Sequence, residues 1–353
     1  EAVLARSMSF QSLTMSSLLA TITGGGVGLL MAWGGLGVWS LVGQQLTSAL
    51  VGTAVLWRAT SWRPSFHLSR RHLRDLYGFS MSVVGNEILW FGTQRMDQAL
   101  IGFVSGASAL GPYAMAARIL NLSRDLLIGP LEAVSLSAFS KLQDERERLR
   151  NAFYDMTEVV AAVAIPAFCG IAALAGSFVP AIFGEAWSPA VPILQILALY
   201  GLAWIPLSFG HGLMLAIGRP GVFAMLNLIQ TCLTLGFCLL AIKWGPVGVA
   251  GAVFLAMVVY SVVFLAVCRK LVGISFRVLM SRLWAPTLAA AVMASVVSVL
   301  QSSISESLGA SMTTIAGILL GASIYWAGMA LLRPKLLKQL RQDLLLRVTR
   351  LAA

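Results

Sequence analysis

The chain has 353 residues, 58% of them hydrophobic and 11% charged, with a formal net charge of +11. Apolar content this high with charge this sparse excludes an ordinary soluble domain and a disordered chain, and places the protein among polytopic membrane proteins. Its four cysteines (Cys169, Cys232, Cys238, Cys268) sit in or beside apolar stretches, at spacings that match neither a metal motif nor a disulfide framework.

Crossing a hydrocarbon core about 30 Å thick takes roughly 20 helical residues. On that measure the sequence predicts an all-α fold, a polytopic transmembrane helix bundle of about ten spans: 14–33, 37–57, 76–102, 109–137, 153–176, 190–216, 221–242, 247–268, 285–301 and 313–332. Short connections imply antiparallel neighbours. Gly34-Gly35-Leu36-Gly37 turns the first pair, Gly106 and Gly111-Pro112 punctuate the third and fourth spans, and Gly218-Arg219-Pro220-Gly221 and Gly245-Pro246 break the later run. The chain starts at Glu1 rather than Met, and no signal peptide with a basic leader precedes the first span. It therefore reads as the remainder of something longer.

Lysine and arginine set the orientation. With both termini on the cytoplasmic side, 21 of the 25 basic residues fall in inner segments, Lys243 alone falls in an outer loop, and Arg95, Arg118 and Arg124 lie within spans. Topology therefore explains the basic charge. The basic segments have few interleaved aromatics, which argues against a nucleic-acid partner. Trp33, Trp39, Trp187 and Trp244 at outer edges, with Trp57, Trp62 and Trp284 at inner ones, form an interfacial belt. Trp90 and Trp204 fall inside spans, as core packing or as cavity walls.

Three segments read as polar. Residues 58–75 form a basic inner linker, and 139–150 read as an amphipathic, charged inner helix held by i,i+4 pairs. The tail from Arg333 onward spaces Leu and basic residues helically and is expected to lie on the inner leaflet. Gly24 with Gly28, and Gly317 with Gly321, have the GxxxG spacing of close helix contacts. Glu158 reads as a cap near the inner end of the fifth span, and His211, Asn227 and Gln230 as hydrogen-bonded packing, with proton or ion coupling as the other reading of the intramembrane His211.

The third and fourth spans carry charges that hydrocarbon does not tolerate: Glu87, Arg95 and Asp97 on one, Arg118, Arg124, Asp125 and Glu132 on the other. An ionised side chain at the bilayer centre costs at least about 2.5 kcal/mol, so these residues are expected to face protein or a water-filled cavity. Arg118, Asn121, Asp125, Ile128, Glu132 and Ser135 recur at steps of three and four, predicting one polar stripe down the fourth span. Ser80, Glu87, Phe91 and Arg95 follow the same spacing more loosely on the third. A rise of about 1.5 Å per residue puts Glu87, Arg124 and Asp125 within roughly 3 Å of the midplane. Two readings stay open. The charges either neutralise one another, Glu87 with Arg124 and Asp97 with Arg95 or Arg118, or leave an arginine for an anionic substrate, since a guanidinium fork fits phosphate oxygens. No catalytic or metal-binding constellation accompanies them, so no enzyme activity and no cofactor is expected.

The strings GGLGVWSLVGQQL (34–46), SWRP (61–64), YGFS (77–80), MDQALIG (96–102), ALGPYAMAAR (109–118), FSKLQDERERL (139–149), FGEAW (183–187), IGRP (217–220) and WGPVGVAGA (244–252), with Pro130, occur in an order that resembles the Wzx-type polysaccharide exporters. These belong to the superfamily that also holds multidrug antiporters and peptidoglycan-precursor flippases. The resemblance implies fourteen helices in two six-helix lobes plus a final pair, with the spans here as the fifth to fourteenth. Residues 1–57 would then be the remainder of the N-terminal lobe, 58–75 the linker, 76–268 the C-terminal lobe, 269–332 the final pair and 333–353 the tail. It implies flipping of an undecaprenyl-pyrophosphate-linked oligosaccharide across a bacterial inner membrane, with polysaccharide polymerase and assembly proteins as partners. Arg118 and Arg124, then Arg95 and Asn121, become the expected substrate contacts, and Glu87 and Asp125 the expected ion-coupling carboxylates. A drug or cation antiporter and a membrane polymerase or ligase stand as alternatives. The interleaved arginines count against the first, and the lack of a large outer loop against the second.

Overall fold

The computed structural model describes residues 10–59, 77, 81, 92 and 95–334, and every regular element among them is helical. The predicted linker from residue 60, most of the predicted third span with Glu87, and the tail beyond Pro334 lie outside the described residues. The chain divides into two compact units, Glu1–Val84 and Gly85–Ala353.

In the first unit, α1 (Phe10–Trp33) and α2 (Trp39–Ala59) form a hairpin. Its turn depends on Gly35 and Gly37, whose φ angles of +77° and +50° are left-handed. A Cβ on Gly24 would collide with Ser48 Oγ, and one on Gly28 would lie 3.0 Å from Gln44 Cβ, so the GxxxG pair marks the helix contact. Ser48 Oγ crosses that contact to donate to the Ala20 carbonyl at 3.0 Å.

The second unit runs from a helix over 95–105 (α3) through α4 (Ala107–Leu127), α5 (Gly129–Ser140), α6 (Arg146–Phe183) and α7 (Ala190–Trp204). It continues through α8 (Gly210–Ala216), α9 (Pro220–Ala241), α10 (Gly245–Val272) and α11 (Phe276–Leu332). Six stretches are long and apolar enough to cross a membrane: Met15–Trp33, Arg146–Phe183, Ala190–Ala216, Pro220–Val272, Phe276–Gln301 and Gly309–Leu332. The fourth of these contains both α9 and α10, joined by a 3-10 turn at Ile242–Trp244. Helix α2, with Gln44 and Gln45, and α4, with Arg118, Arg124 and Asp125, are helical where spans were predicted but less apolar. The protein is a multi-pass membrane helix bundle.

Three predicted elements differ from the structure. The fourth span is two helices, because Pro130 has no N–H to return to the Leu126 carbonyl and its ring crowds the preceding turn. The span 190–216 is likewise split: Pro206 sits in a 3-10 turn, Ile205–Leu207, between α7 and α8. The separate inner helix over 139–150 does not form. Residues 141–144 make a turn, and from Arg146 the chain is already in the 38-residue α6. Within this stretch Arg148 pairs with Glu145 at 2.8 Å.

Packing is dense where side chains are missing. Gly212 on α8 leaves no room for a Cβ against Ser135 Oγ of α5, and a Cβ on Gly201 would come 2.8 Å from the Phe168 ring. Phe139 lies edge-on to Phe209 and 6.4 Å from the Phe153 ring. These aromatics are fully buried and join α5, α6 and the α7–α8 connection.

Helix α11 divides at Gly309 (φ +73°) into two limbs. The second limb rests on α6 and on the first limb through small residues, Gly317 against Leu174 and Gly321 against Val297 and Met293. Tyr325 donates its hydroxyl to the Ala162 carbonyl at 2.7 Å. Glu158, only 3% exposed, holds the ends of both limbs that lie away from Gly309. One carboxylate oxygen meets Arg282 at 2.7 Å and the other Arg333 at 3.3 Å; Arg282 also reaches Asp155 at 2.6 Å. Glu158 is thus not a helix cap. It is a buried anion shared by guanidiniums from the two limbs.

Glu158→Gln removes a charge that two guanidiniums share, and the expected loss is about 1.5–3 kcal/mol, the range for hydrogen bonds to charged groups. It falls below the about 3–5 kcal/mol of a fully buried pair because the arginines are a third exposed. The apparent Tm in detergent, read by size-exclusion after heating, checks this; an unchanged Tm would show that the clamp contributes nothing. Gly212→Ala should destabilise by roughly 1–3 kcal/mol through overpacking against Ser135, detected by the same assay, whereas Gly221→Ala, with open space around it, should not.

Candidate functional site

The site grows from the two helix breaks. Helix α4 packs along α7, and α5 packs along α8. Both elements of this layer are therefore interrupted, and the interruptions lie side by side. At the first, the Ile128 N–H donates to the Arg124 carbonyl at 2.8 Å, and Glu132 restarts the ladder by donating to the Ile128 carbonyl at 3.0 Å. At the second, the Ser208 N–H reaches the Ile205 carbonyl at 3.3 Å. In a membrane, irregular backbone is tolerated only where protein covers it or where it lines a cavity.

Two charged side chains meet Trp204, the last residue of α7, and a third joins them through Arg124. The Arg124 guanidinium lies over its ring, 5.2 Å from the centroid, a cation–π contact. The indole N–H donates to Glu132 Oε1 at 3.4 Å. Asp125 meets Arg124 at 3.5 Å, with Arg124 20% and Asp125 68% exposed in their side chains. Tyr200, one turn before Trp204, stacks 6.4 Å from it. Arg124 is thus held from behind by an aromatic face and from one side by a carboxylate, with part of its fork uncovered.

The predicted stripe divides at the break. Arg118, Asn121 and Asp125 are exposed together on a face of this unit that its own described helices leave bare, while Ile128 and Ser135 turn inward and are buried. Ser135 satisfies its hydroxyl on the Glu132 carbonyl at 2.7 Å. Among the described residues, Arg118 has no ion-pair partner and Asn121 no hydrogen-bond partner for its side chain.

Asp97 departs from the expected pairing. Its carboxylate accepts from the buried Tyr113 hydroxyl at 2.5 Å and from the Gln98 N–H at 2.8 Å. Arg95 turns instead to Gln98 Oε1 at 3.1 Å. Neither Arg95 nor Arg118 pairs with Asp97, because Tyr113, locked into the core, reaches it first. Arg95 is therefore separate from the Arg124 cluster, and Glu87 lies outside the described residues.

Sequence reading missed Trp204 as the hub, Tyr200 as its neighbour and Tyr113 as the partner of Asp97. The available signal was the pair of prolines, Pro130 and Pro206, each placed within a span. His211 is exposed and stacks 4.9 Å from Phe223. Gln230 donates toward Met257 Sδ at 4.0 Å. Among the described residues, no group of three His, Cys, Asp or Glu side chains is placed to hold a metal.

Comparison with known proteins gives this architecture a context. The chain is 28% identical over 245 residues to the succinoglycan biosynthesis transport protein ExoT of Rhizobium meliloti, covering 69% of this chain and 49% of that one. It is 26% identical over 230 residues to the lipopolysaccharide biosynthesis protein WzxC of Escherichia coli, covering 64% and 46%. It is 32% identical over 159 residues to the teichuronic acid biosynthesis protein TuaB of Bacillus subtilis, covering 45% and 33%. The chain thus spans half or less of the length of each. Among solved structures, the lipid II flippase MurJ in an inward closed conformation superposes with a TM-score of 0.74 at 14% identity, covering 92% of this chain and 68% of MurJ; at that identity the likeness shows the fold. The family described as polysaccharide biosynthesis protein matches residues 1–192, more than half of the 353, and the chain belongs to that family.

Proposed function

We propose that this chain is part of a transporter that flips lipid-linked oligosaccharide repeat units, carried on undecaprenyl pyrophosphate, across the bacterial inner membrane for surface polysaccharide synthesis. One observation carries the reading: a partly uncovered guanidinium, Arg124, stands where two broken membrane helices meet, with Arg118 and Asn121 beside it on the same bare face. Discontinuous helices at mid-membrane are where transporters of many folds place their substrates. The names of the relatives, which concern succinoglycan transport, lipopolysaccharide and teichuronic acid biosynthesis, point to the same cargo class.

In this reading Arg118 supplies the free fork for pyrophosphate oxygens. Arg124, steered by Trp204 and Asp125, supplies a second, and Asn121 lies between them for sugar hydroxyls. Arg95 is a more distant contact. Asp125 and Glu87 are the carboxylates through which a coupling ion would act. Transport proceeds by alternating exposure of this face, with lipid tails staying in the bilayer. The assignment is to a transporter rather than an enzyme, with both termini of the chain cytoplasmic. A drug or cation antiporter would want its carboxylates without guanidinium neighbours, and Arg124 on Asp125 counts against it.

Deleting the gene and complementing with wild type, Arg118→Ala or Arg124→Ala tests the reading through surface polysaccharide and inner-leaflet lipid-linked repeat units. Each alanine variant is expected to lose transport by about tenfold or more, as for a lost charge-assisted hydrogen bond, and to strand repeat units inside. Unchanged surface polysaccharide on deletion would remove the cargo assignment; full rescue by both variants would make the arginines structural. A second test probes water. On a cysteine-free background, Asn121→Cys is expected to react with a hydrophilic maleimide, whereas Leu239→Cys, exposed on the apolar α9, should not. An unreactive Asn121→Cys would place this face in lipid or in protein.

A further inference from the structure

Two motifs that the transport reading does not use meet at one place. The turn after α5, within FSKLQDERERL, and the IGRP turn between α8 and α9 come together with the end of α10 around a cavity of about 610 Å³. Its rim carries Arg146, Arg219 and Lys270, all exposed, and one opposing charge, Asp144; its floor includes the buried Leu149 and Val272. Among the described residues, none of the three cations has an ion-pair partner, in contrast to Arg148 nearby, which is taken by Glu145.

The rim is built. Helix α8 ends in a Schellman closure: the Gly218 N–H donates to the Leu215 carbonyl at 3.0 Å and the Arg219 N–H to the Met214 carbonyl at 2.9 Å. Gly218 adopts φ +68° to allow it. This fixes the backbone from which Arg219 projects. Lys270 stands in the last turn of α10, where Gly273 at φ +79° ends that helix in the left-handed conformation. Two helices, α6 and α9, begin at the cavity and two, α8 and α10, end there, so the helix dipoles oppose one another and the three side chains set its charge. Three cations on one rim against one carboxylate, over an apolar floor and in a volume within the range of small-molecule sites, are suited to a compact polyanion.

We infer that this cavity is a binding site for a phosphate ester or pyrophosphate group, distinct from the site on α4 and α7. The ligand is either the headgroup of an anionic lipid in the adjacent leaflet or a soluble pyrophosphate-bearing molecule. The site requires Arg146, Arg219 and Lys270 together and does not depend on the transported cargo.

The test uses the full chain in nanodiscs, in two arms. In the first, inorganic pyrophosphate is titrated calorimetrically into protein in zwitterionic lipid. In the second, native mass spectrometry counts phosphatidylglycerol retained from discs holding equal phosphatidylglycerol and phosphatidylcholine. Wild type is expected to bind in at least one arm. Arg219→Gln with Lys270→Gln should weaken that binding about tenfold or more, Arg219→Lys should largely keep it, and Lys141→Gln, outside the cavity, should leave it unchanged. Binding in the first arm alone identifies a soluble ligand, and in the second alone a headgroup. No binding by wild type in either arm, or equal binding by the double variant, overturns the inference. Cargo transport is not read in either arm, so failure here leaves the flippase reading standing, and the reverse.

Discussion

The second unit is governed by the rule that backbone polar groups in hydrocarbon must find partners within the protein. Pro130 and Pro206 each remove a backbone donor from the helix they interrupt, and at Pro206 the Ile205 N–H turns to the Leu202 carbonyl in its place. The fold sets the two interruptions against each other, so that each broken helix is covered by the other and by the buried aromatics of α5, α6 and the α7–α8 connection. Once the ladder is interrupted there, polar side chains cost less at that level than anywhere else in the layer. Arg124, Asp125 and Glu132 collect where the helices are already open, and Trp204 gives them a surface that is apolar to its neighbours and attractive to a cation.

Some of this was legible in the sequence. Apolar runs of helical length located the membrane helices because the bilayer imposes one length on all of them. The GxxxG pairs marked true contacts, since the absence of a side chain is itself a packing signal, as Gly24 against Ser48 shows. The charges of the third and fourth spans pointed to the right region. What periodicity could not convey is direction after a break. Extrapolated through Pro130, the 3.6-residue repeat kept Ser135 on the face of Arg118, while in the fold it is buried beneath α8. Partner choice was equally hidden. Asp97 meets Tyr113 because the core fixes that tyrosine, and nothing in the spacing of the arginines could reveal a competitor sixteen residues away.

Glu158 shows the same limit from the other side. A lone acidic residue near a helix start has an ordinary local explanation, and its real partners lie 124 residues away on Arg282 and further still on Arg333. Together with Tyr325 on Ala162 and Tyr154 on Ser275, it fastens both limbs of α11 to α6. The two limbs, divided at Gly309, are thus stapled to α6 at one end through charge, and the second limb rests on α6 and on the first limb through Gly317 and Gly321.

That staple bears on how the chain acquires its topology. Orientation during insertion is biased by lysine and arginine near the ends of each span, with acidic residues contributing little. By that rule Arg282 and Arg333, each near the end of its own limb, count at that stage as two separate positive charges. After the helices assemble, the same two guanidiniums converge on one buried carboxylate. A single pair of residues thus serves twice in the life of the chain, first as an address read segment by segment and later as a lock that only the assembled lobe can close.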